Sequence, residues 1–500
     1  MIVLNIFVAV AFTFLLNYCW KRRYLYLASW NLPGIVSFPL IGGSYVFWNT
    51  TDIVSVVSGL LRKLGAPFGF WLGPRFVVYF ADADDAEIII NHPCSMDKGG
   101  VYKFIAEMIG GPGLFSAGGD YWKMHRRLLN PTVQNTKILN SFYPCMNKTL
   151  QILVEKLGKR DPNESFDIYE TLEACSFDMF VKNTFGVDLD VQNNEHNHLF
   201  QMANEALYVI RQRIFDPIYQ IDLFFRFSKL YQMRKRSTDG MRSFIEHVLR
   251  KRLAELTSVD RNQNQKKDEY EKRLRIFIDE IIELSIEEKC FSEDEMISES
   301  LTMLLAGFET TAVTISNIVL MLAVHQEYQQ MVHQEIQETC PNNDDVTSDD
   351  LNQLIFTERF IRETMRFIPT VPLTTRIAKS DFYVGKAYVP AGSEIIISQY
   401  EMHRDKKIWG DDAETFNPDR FLPERLENQH PYAFIPFSAG ARNCIGKKYA
   451  QIVLRMFVVW LVRNYKFTTD LKIEDLSLKW MVVMKLNNGY PVRVEKRLVK

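Results

Sequence analysis

The sequence has no close pair of cysteines. Its seven (Cys19, Cys94, Cys145, Cys175, Cys290, Cys340 and Cys444) are an odd number, scattered along the chain. That excludes a disulfide framework and the usual zinc spacings, and it makes a reducing compartment the simpler setting. An excess of one charge is also missing. Lys and Arg number 59 against 61 Asp and Glu, a net charge of −2. No basic block reads as a nucleic-acid patch, and neither polyanion nor polycation binding is implied overall. Internal repeats are absent, and no break is long enough to demand a second domain.

Apolar residues are plentiful, at 47% of the 500, with 35 Phe among them. A substantial core is possible, and this composition suits an apolar interior or pocket. Residues 2–20 are apolar apart from Asn5, Thr13, Asn17 and Tyr18. As a helix they span about 28 Å, close to the ~30 Å hydrocarbon core of a bilayer. Lys21-Arg22-Arg23 follows at once. Positive charge after the run, with no small-residue cleavage site, argues against a signal peptide. The same charges keep the following domain cytosolic. The expectation is an N-terminal membrane anchor over 1–20 and a basic, proline-rich hinge over 21–43. A single globular domain then covers 44–500.

Phe68 to Phe80 reads as a hairpin of apolar strands and 82–91 as a short helix. Residues 97–119 hold seven glycines and little periodicity, which predicts a mobile loop. A helix opens near Tyr121 and places Trp122 and Arg126 on one face. Long amphipathic patterns fill 145–255, including 210–230. His196 and His198 read as solvated loop residues, and 260–273 as a charged surface linker. Ser292 and Glu295 form a candidate capping box ahead of a long apolar helix, which must be buried. Inside it lies Ala306-Gly307-Phe308-Glu309-Thr310-Thr311. A glycine and a carboxylate weaken a buried helix, so they need a reason. Threonine can bond the carbonyl one turn back, and Gly307 can open the helix into a groove. Further on, Glu363 and Arg366 share a helix face.

Near the C-terminus stands Phe437-Ser438-Ala439-Gly440-Ala441-Arg442-Asn443-Cys444-Ile445-Gly446, just ahead of a predicted helix over 447–461. Gly440 and Gly446 let the backbone turn and approach a flat ligand. A thiolate there is a metal ligand, and one Cys without a C-x-x-C partner points to haem rather than zinc or an iron–sulfur cluster. The alternative is a buried structural cysteine. The spacing Phe-x-x-Gly-x-Arg-x-Cys-x-Gly decides against that alternative, because it resembles the haem-binding loop of the cytochrome P450 family.

Other motifs carry the resemblance along the chain in the family's order. Trp122 and Arg126 resemble its Trp-x-x-x-Arg pair, and Ala306 to Thr310 its oxygen-activation motif. Glu363 and Arg366 resemble its Glu-x-x-Arg, with Arg420 as third partner. Arg376 and, less specifically, His403 resemble propionate contacts. Residues 299–311 further resemble the signature of the microsomal fatty-acid ω-hydroxylase clan, in a form like those of insects and other animals. Position 306 departs from it, with Ala where many members carry a haem-esterifying Glu.

The resemblance implies a mainly α fold with a smaller β-rich lobe and non-covalent haem b ligated by Cys444. Trp122, Arg126, Ala306, Gly307, Arg376, Phe437, Gly440, Arg442 and Gly446 would also contact the cofactor. Glu309 and Thr310 would be catalytic, delivering protons; Glu363, Arg366 and Arg420 would be structural. It also implies monooxygenation of a lipophilic substrate by O2 at the endoplasmic reticulum membrane. Electrons would come from NADPH through NADPH–cytochrome P450 reductase, with cytochrome b5 an optional second donor. Lys123, Arg127, Lys406, Lys407, Lys447 and Lys448 could present a basic docking face. No nucleic-acid partner is expected. Residues 371–373 and 480–484 could border the pocket; for the latter a core strand is the equal alternative. Two other functions stay open. A haem-thiolate isomerase or dehydratase of oxygenated lipids would need no reductase, and a membrane-anchored binding protein would turn nothing over.

Overall fold

The computed structural model describes residues 2–38, 42–47, 53–194, 196–260, 275–287, 289–341, 345–480 and 482–497. Pro39 to Ile41 of the hinge, most of the charged linker and Met481 lie outside the described residues. The chain forms two compact units. One comprises Met1–Gly100, Leu373–Asp405 and His430–Arg442; the other Val101–Pro372, Lys406–Gln429 and Asn443–Lys500. Each unit draws on separate stretches, so a scan along the sequence meets no domain boundary.

The first unit holds the β-rich region. Strands Phe68–Leu72 and Arg75–Phe80 form the expected antiparallel hairpin, turning at Gly73 with φ +57°. Arg75–Phe80 pairs in parallel with Glu394–Ser398, which pairs antiparallel with Leu373–Ile377. The near-continuous apolar runs of the two central strands fit burial on both faces. Phe76, Phe80, Ile89, Ile395 and Met402 share one core. The helix Ala83–Asn91 starts where expected, because the Asp82 carboxylate accepts from Asp84 N. Residues Ile2–Lys21 are helical, with Ile6, Val10, Phe12, Leu16 and Trp20 exposed.

The second unit is largely helical around Glu293–Val324. Both halves of its capping box, Ser292 and Glu295, are formed. Among the described residues this is the one helix long and apolar enough to cross a membrane, yet it is buried as a core helix. Helices Tyr169–Phe185 and Lys447–Asn464 pack on it. Phe177 meets Phe308 edge-on with ring centroids 4.9 Å apart. Strand Pro491–Lys496 lies between Phe166–Asp167 and Tyr465–Thr468. The 480–484 stretch contributes to a hairpin of Leu478–Trp480 with Met484–Leu486.

Three local expectations need correction. The glycine-rich 97–119 stretch contains a helix, Lys103–Ile109, which buries Phe104, Ile105, Met108 and Ile109 and stops at left-handed Gly110. His198 begins the helix His198–Phe215, because the Asn197 side chain caps it. The amphipathic pattern over 210–230 is cut at Asp216, whose side chain caps a new short helix, and again at Ile221.

A buried asparagine ties distant parts of the second unit together. Asn147 donates to Val346 O and accepts from Val346 N and Trp460 Nε1, at 2.9–3.0 Å. Asn147→Ala strands all three groups and is expected to cost about 3 kcal/mol, measurable as a lower denaturant midpoint with unchanged m-value.

Candidate active site

Cys444 is the one exposed cysteine; the other six are buried or half-buried, and none forms a disulfide. Its loop is held from the helix Gly119–Val133. Arg126 donates through Nη1 to Asn443 O at 3.0 Å and through Nη2 to Asn443 Oδ1 at 2.6 Å. Gln134 Nε2 reaches Ile445 O at 3.0 Å. Burial pulls the Arg126 guanidinium below its ordinary value, and the nearby Cys444 sulfur opposes that shift. The helix Lys447–Asn464 begins just past the cysteine, so its unpaired N–H groups add positive potential nearby. Trp122 is buried on the same helix as Arg126.

The two loop glycines differ. Gly440 has φ +65°, and a Cβ there would sit 2.6 Å from Ile90 Cγ2, so both backbone and space require glycine. Gly446 has φ −86°, open to any residue. Its expected role in turning the chain is therefore corrected; a Cβ there would instead lie 4.0 Å from the Cys444 sulfur. Phe437, Gly440, Arg442 and Arg376 belong to the first unit. Arg442 is buried, with Nε donating to Met96 O at 2.9 Å and Asp97 nearby. Arg376 is buried on the strand Leu373–Ile377. His403 Nε2 accepts from Ile435 N at 3.1 Å.

On the long helix, Thr310 Oγ1 donates to Ala306 O and Thr311 Oγ1 to Gly307 O, both at 2.8 Å. This is the expected bond to the carbonyl one turn back. The expected opening at Gly307 is not formed; the helix runs unbroken. A Cβ on Gly307 would lie 2.0 Å from the Phe180 ring, so close helix packing demands the glycine. Met303, Ala306, Gly307 and Thr310 are nonetheless accessible, and every other residue from Ile297 to Ala323 is buried. Their spacing makes one narrow stripe. Within the second unit, an accessible sulfur on a loop braced by Arg126 and an accessible stripe on the long helix fit a flat iron-bearing ring.

Glu309, the residue before Thr310, is buried. Its Oε1 pairs with Lys485 Nζ at 2.8 Å. Lys485 also donates to Tyr169 Oη at 2.7 Å, and Tyr169 bonds Glu173 closely. Asn204 Nδ2 donates to the other Glu173 oxygen at 3.4 Å. Burial raises the Glu173 carboxyl to about 7. Sequence reasoning missed Lys485, Tyr169 and Glu173, since no motif marks them. It also missed His125, buried between Trp122 and Arg126, whose Nδ1 meets Glu299 Oε1 at 2.7 Å.

Glu363 and Arg366 form a two-pronged pair at 2.7 and 2.8 Å with neither side chain exposed. Glu363 also accepts from Asn417 N at 2.7 Å. Arg366 donates to Ala413 O at 2.8 Å and Thr415 O at 3.2 Å. Arg420 approaches Glu363 at 3.7 Å and donates to Trp409 O at 2.6 Å. The three expected partners are therefore brought together.

Arg366→Ala leaves a buried carboxylate without its partner and is expected to cost about 3–5 kcal/mol, read as a lower unfolding midpoint. A second expectation concerns pH. The ordinary value for Glu173 is 4.5 and the folded value about 7, so folding favours its protonated form. Stability from this group is full below 4.5 and is lost as pH rises towards 7. Glu173→Gln should flatten that part of the stability–pH curve.

Similarity to known proteins agrees with this arrangement. The family model described as Cytochrome P450 matches residues 32–493. "Probable cytochrome P450 313b1" of Drosophila melanogaster is 31% identical over 497 residues, 96% of this chain and 97% of that protein. Human "Cytochrome P450 4V2" is 30% identical over 431 residues, 85% of this chain and 82% of that protein. "Cytochrome P450 4c21" of Blattella germanica is 28% identical, covering 90% of each chain. With the family's match running nearly end to end and Cys444 presented on a braced, accessible loop, the chain belongs to the cytochrome P450 monooxygenases.

Proposed function

We propose that this protein is an endoplasmic-reticulum haem-thiolate monooxygenase acting on a lipophilic substrate: a fatty acid, a hormone-like lipid or a xenobiotic. One observation carries the reading. The only exposed cysteine lies beside Arg126 and a helix N-terminus. Such surroundings favour a thiolate. Haem b held by this sulfur supplies activation of O2 and insertion of one oxygen atom into a C–H bond.

The chain's own residues then have distinct tasks. Cys444 holds the iron, and Arg126 braces the loop that carries it. Trp122, Arg126 and Arg376 are the proposed donors to the ring's acidic side chains, and Phe437, Gly440, Arg442 and Gly446 the proposed contacts from the cysteine loop. Ala306 and Gly307 would contact the ring from the long helix. Ala306 offers no carboxylate for an ester, so the cofactor is held without a covalent bond. The Thr310 hydroxyl lies on the accessible stripe and positions water there, while Glu309 exchanges protons with it. Glu363, Arg366 and Arg420 act structurally.

Residues 1–20 are proposed as the anchor, supported by exposed apolar side chains on the helix Ile2–Lys21. Residues 21–43 form the hinge and 44–500 one catalytic domain facing the cytosol. Lys123, Arg127, Lys447 and Lys448 are exposed and suit an acidic flavoprotein donor. NADPH–cytochrome P450 reductase fills that role, with cytochrome b5 as a second donor.

The test is the carbon monoxide difference spectrum of dithionite-reduced membranes carrying the full chain. The strongly red-shifted Soret band of thiolate-ligated haem is expected. Cys444→Ala should abolish both the band and NADPH-dependent product formation; a variant that kept either would overturn the reading.

A further inference from the structure

Glu309 is not an isolated carboxylate. Its partner Lys485 comes from the strand Met484–Leu486, 176 residues further on, with Nζ to Oε1 2.8 Å. Lys485 Nζ also donates to Tyr169 Oη at 2.7 Å. Tyr169 and Glu173 are one turn apart on the helix Tyr169–Phe185 and are hydrogen-bonded to each other. Four polar groups from three elements therefore form one unbroken line.

A structural ion pair does not require the far end of this line. Glu309 and Lys485 already balance each other. A second carboxylate, nine-tenths buried, is unfavourable unless it is neutral or has a task. The ionisable groups that act on it most strongly come from three elements. Tyr169 is on its own helix, Lys485 on the C-terminal hairpin and Glu309 on the long helix. Arg211 of the helix His198–Phe215 faces Glu309 and Tyr169, and Tyr490 stacks on Tyr169. The hydrogen bond from Tyr169 and the charge of Lys485 limit how far burial raises Glu173. The carboxyl consequently changes protonation near neutral pH.

We propose that Glu173 and Tyr169, acting through Lys485, form the line that returns protons to Glu309. The inference rests on the reading above that Glu309 gives up protons towards the Thr310 stripe. The transfers balance without electrons. Lys485 ammonium passes a proton to the Glu309 carboxylate, and the Tyr169 hydroxyl restores it. The protonated Glu173 carboxyl, once its hydrogen bond with Tyr169 is reversed, restores Tyr169, and the carboxylate left behind is reprotonated by hydronium from solvent. These three are positioning residues, because none is on the accessible stripe.

Three variants of the full, haem-loaded chain test this in reconstitution with reductase. Glu173→Gln keeps hydrogen-bonding atoms but holds no transferable proton. Tyr169→Phe removes one hydroxyl with little change of shape. Lys485→Arg keeps the charge but does not release a proton. The carbon monoxide band reports the haem-thiolate reading separately; its absence from the parent protein would overturn both readings. Infrared pH titration is expected to find a carboxyl that ionises near neutral pH in the parent and is lost in Glu173→Gln. During NADPH oxidation without added substrate, the share of consumed O2 released as hydrogen peroxide should rise in all three variants. Its inflection near neutral pH should disappear. If all three variants keep the parent's peroxide share and pH profile with the carbon monoxide band intact, the line is structural and the inference is wrong.

Discussion

Glu363 and Arg366 face each other with neither side chain exposed to water, and much of the second unit's irregular chain hangs on that contact. Two buried charges are costly, so the pair is weak evidence of stability. Its value is geometric. Arg366 has donors left over after meeting Glu363, and these take Ala413 O and Thr415 O. Glu363 has lone pairs left over, and one takes Asn417 N. Arg420 adds Trp409 O. A stretch with little regular structure thereby has its backbone groups satisfied by side chains. Moving any part of it strands a charge.

The long helix solves a related problem differently. It buries many hydroxyls in an apolar core. Ser300, Thr302, Thr310, Thr311, Thr314 and Ser316 each donate to the carbonyl four residues back. That satisfies them within the helix and needs no outside partner. The neighbouring helix can therefore come very close, and at Gly307 it does, with Phe180 filling the place of a side chain. The accessible stripe and the tight contact are set by the same few residues. Gly307 holds the helix in position while Ala306 and Thr310 remain open.

What could be read from the chain followed sequence distance. The Cys444 loop, Trp122 with Arg126, and Glu363 with Arg366 are each compact patterns on one loop or helix face. Their spacing made them visible. Arg126 with Asn443 is separated by 317 residues and Lys485 with Tyr169 by 316, and no local rule selects either pair. Helix Lys103–Ile109 was hidden because flanking glycines masked four apolar residues spaced for one buried face. Gly307 stands out in the sequence, but its local pattern suggests an opened helix, while the packed ring of Phe180 that explains it lies 127 positions earlier.

Charge balance around Glu309 shows why the distant residues matter. Two acids, Glu309 and Glu173, stand against two cations, Lys485 and Arg211. If all four were ionised the cluster would be neutral, and burial would still penalise each member. Protonating Glu173 relieves the most deeply buried acid and leaves Glu309 facing two positive charges. Glu309 keeps Lys485 at 2.8 Å, while burial favours the protonated form of Glu173 at the far end. Two chemically identical side chains thus sit in different surroundings at the two ends of one hydrogen-bonded line, one paired with a cation and the other raised by burial.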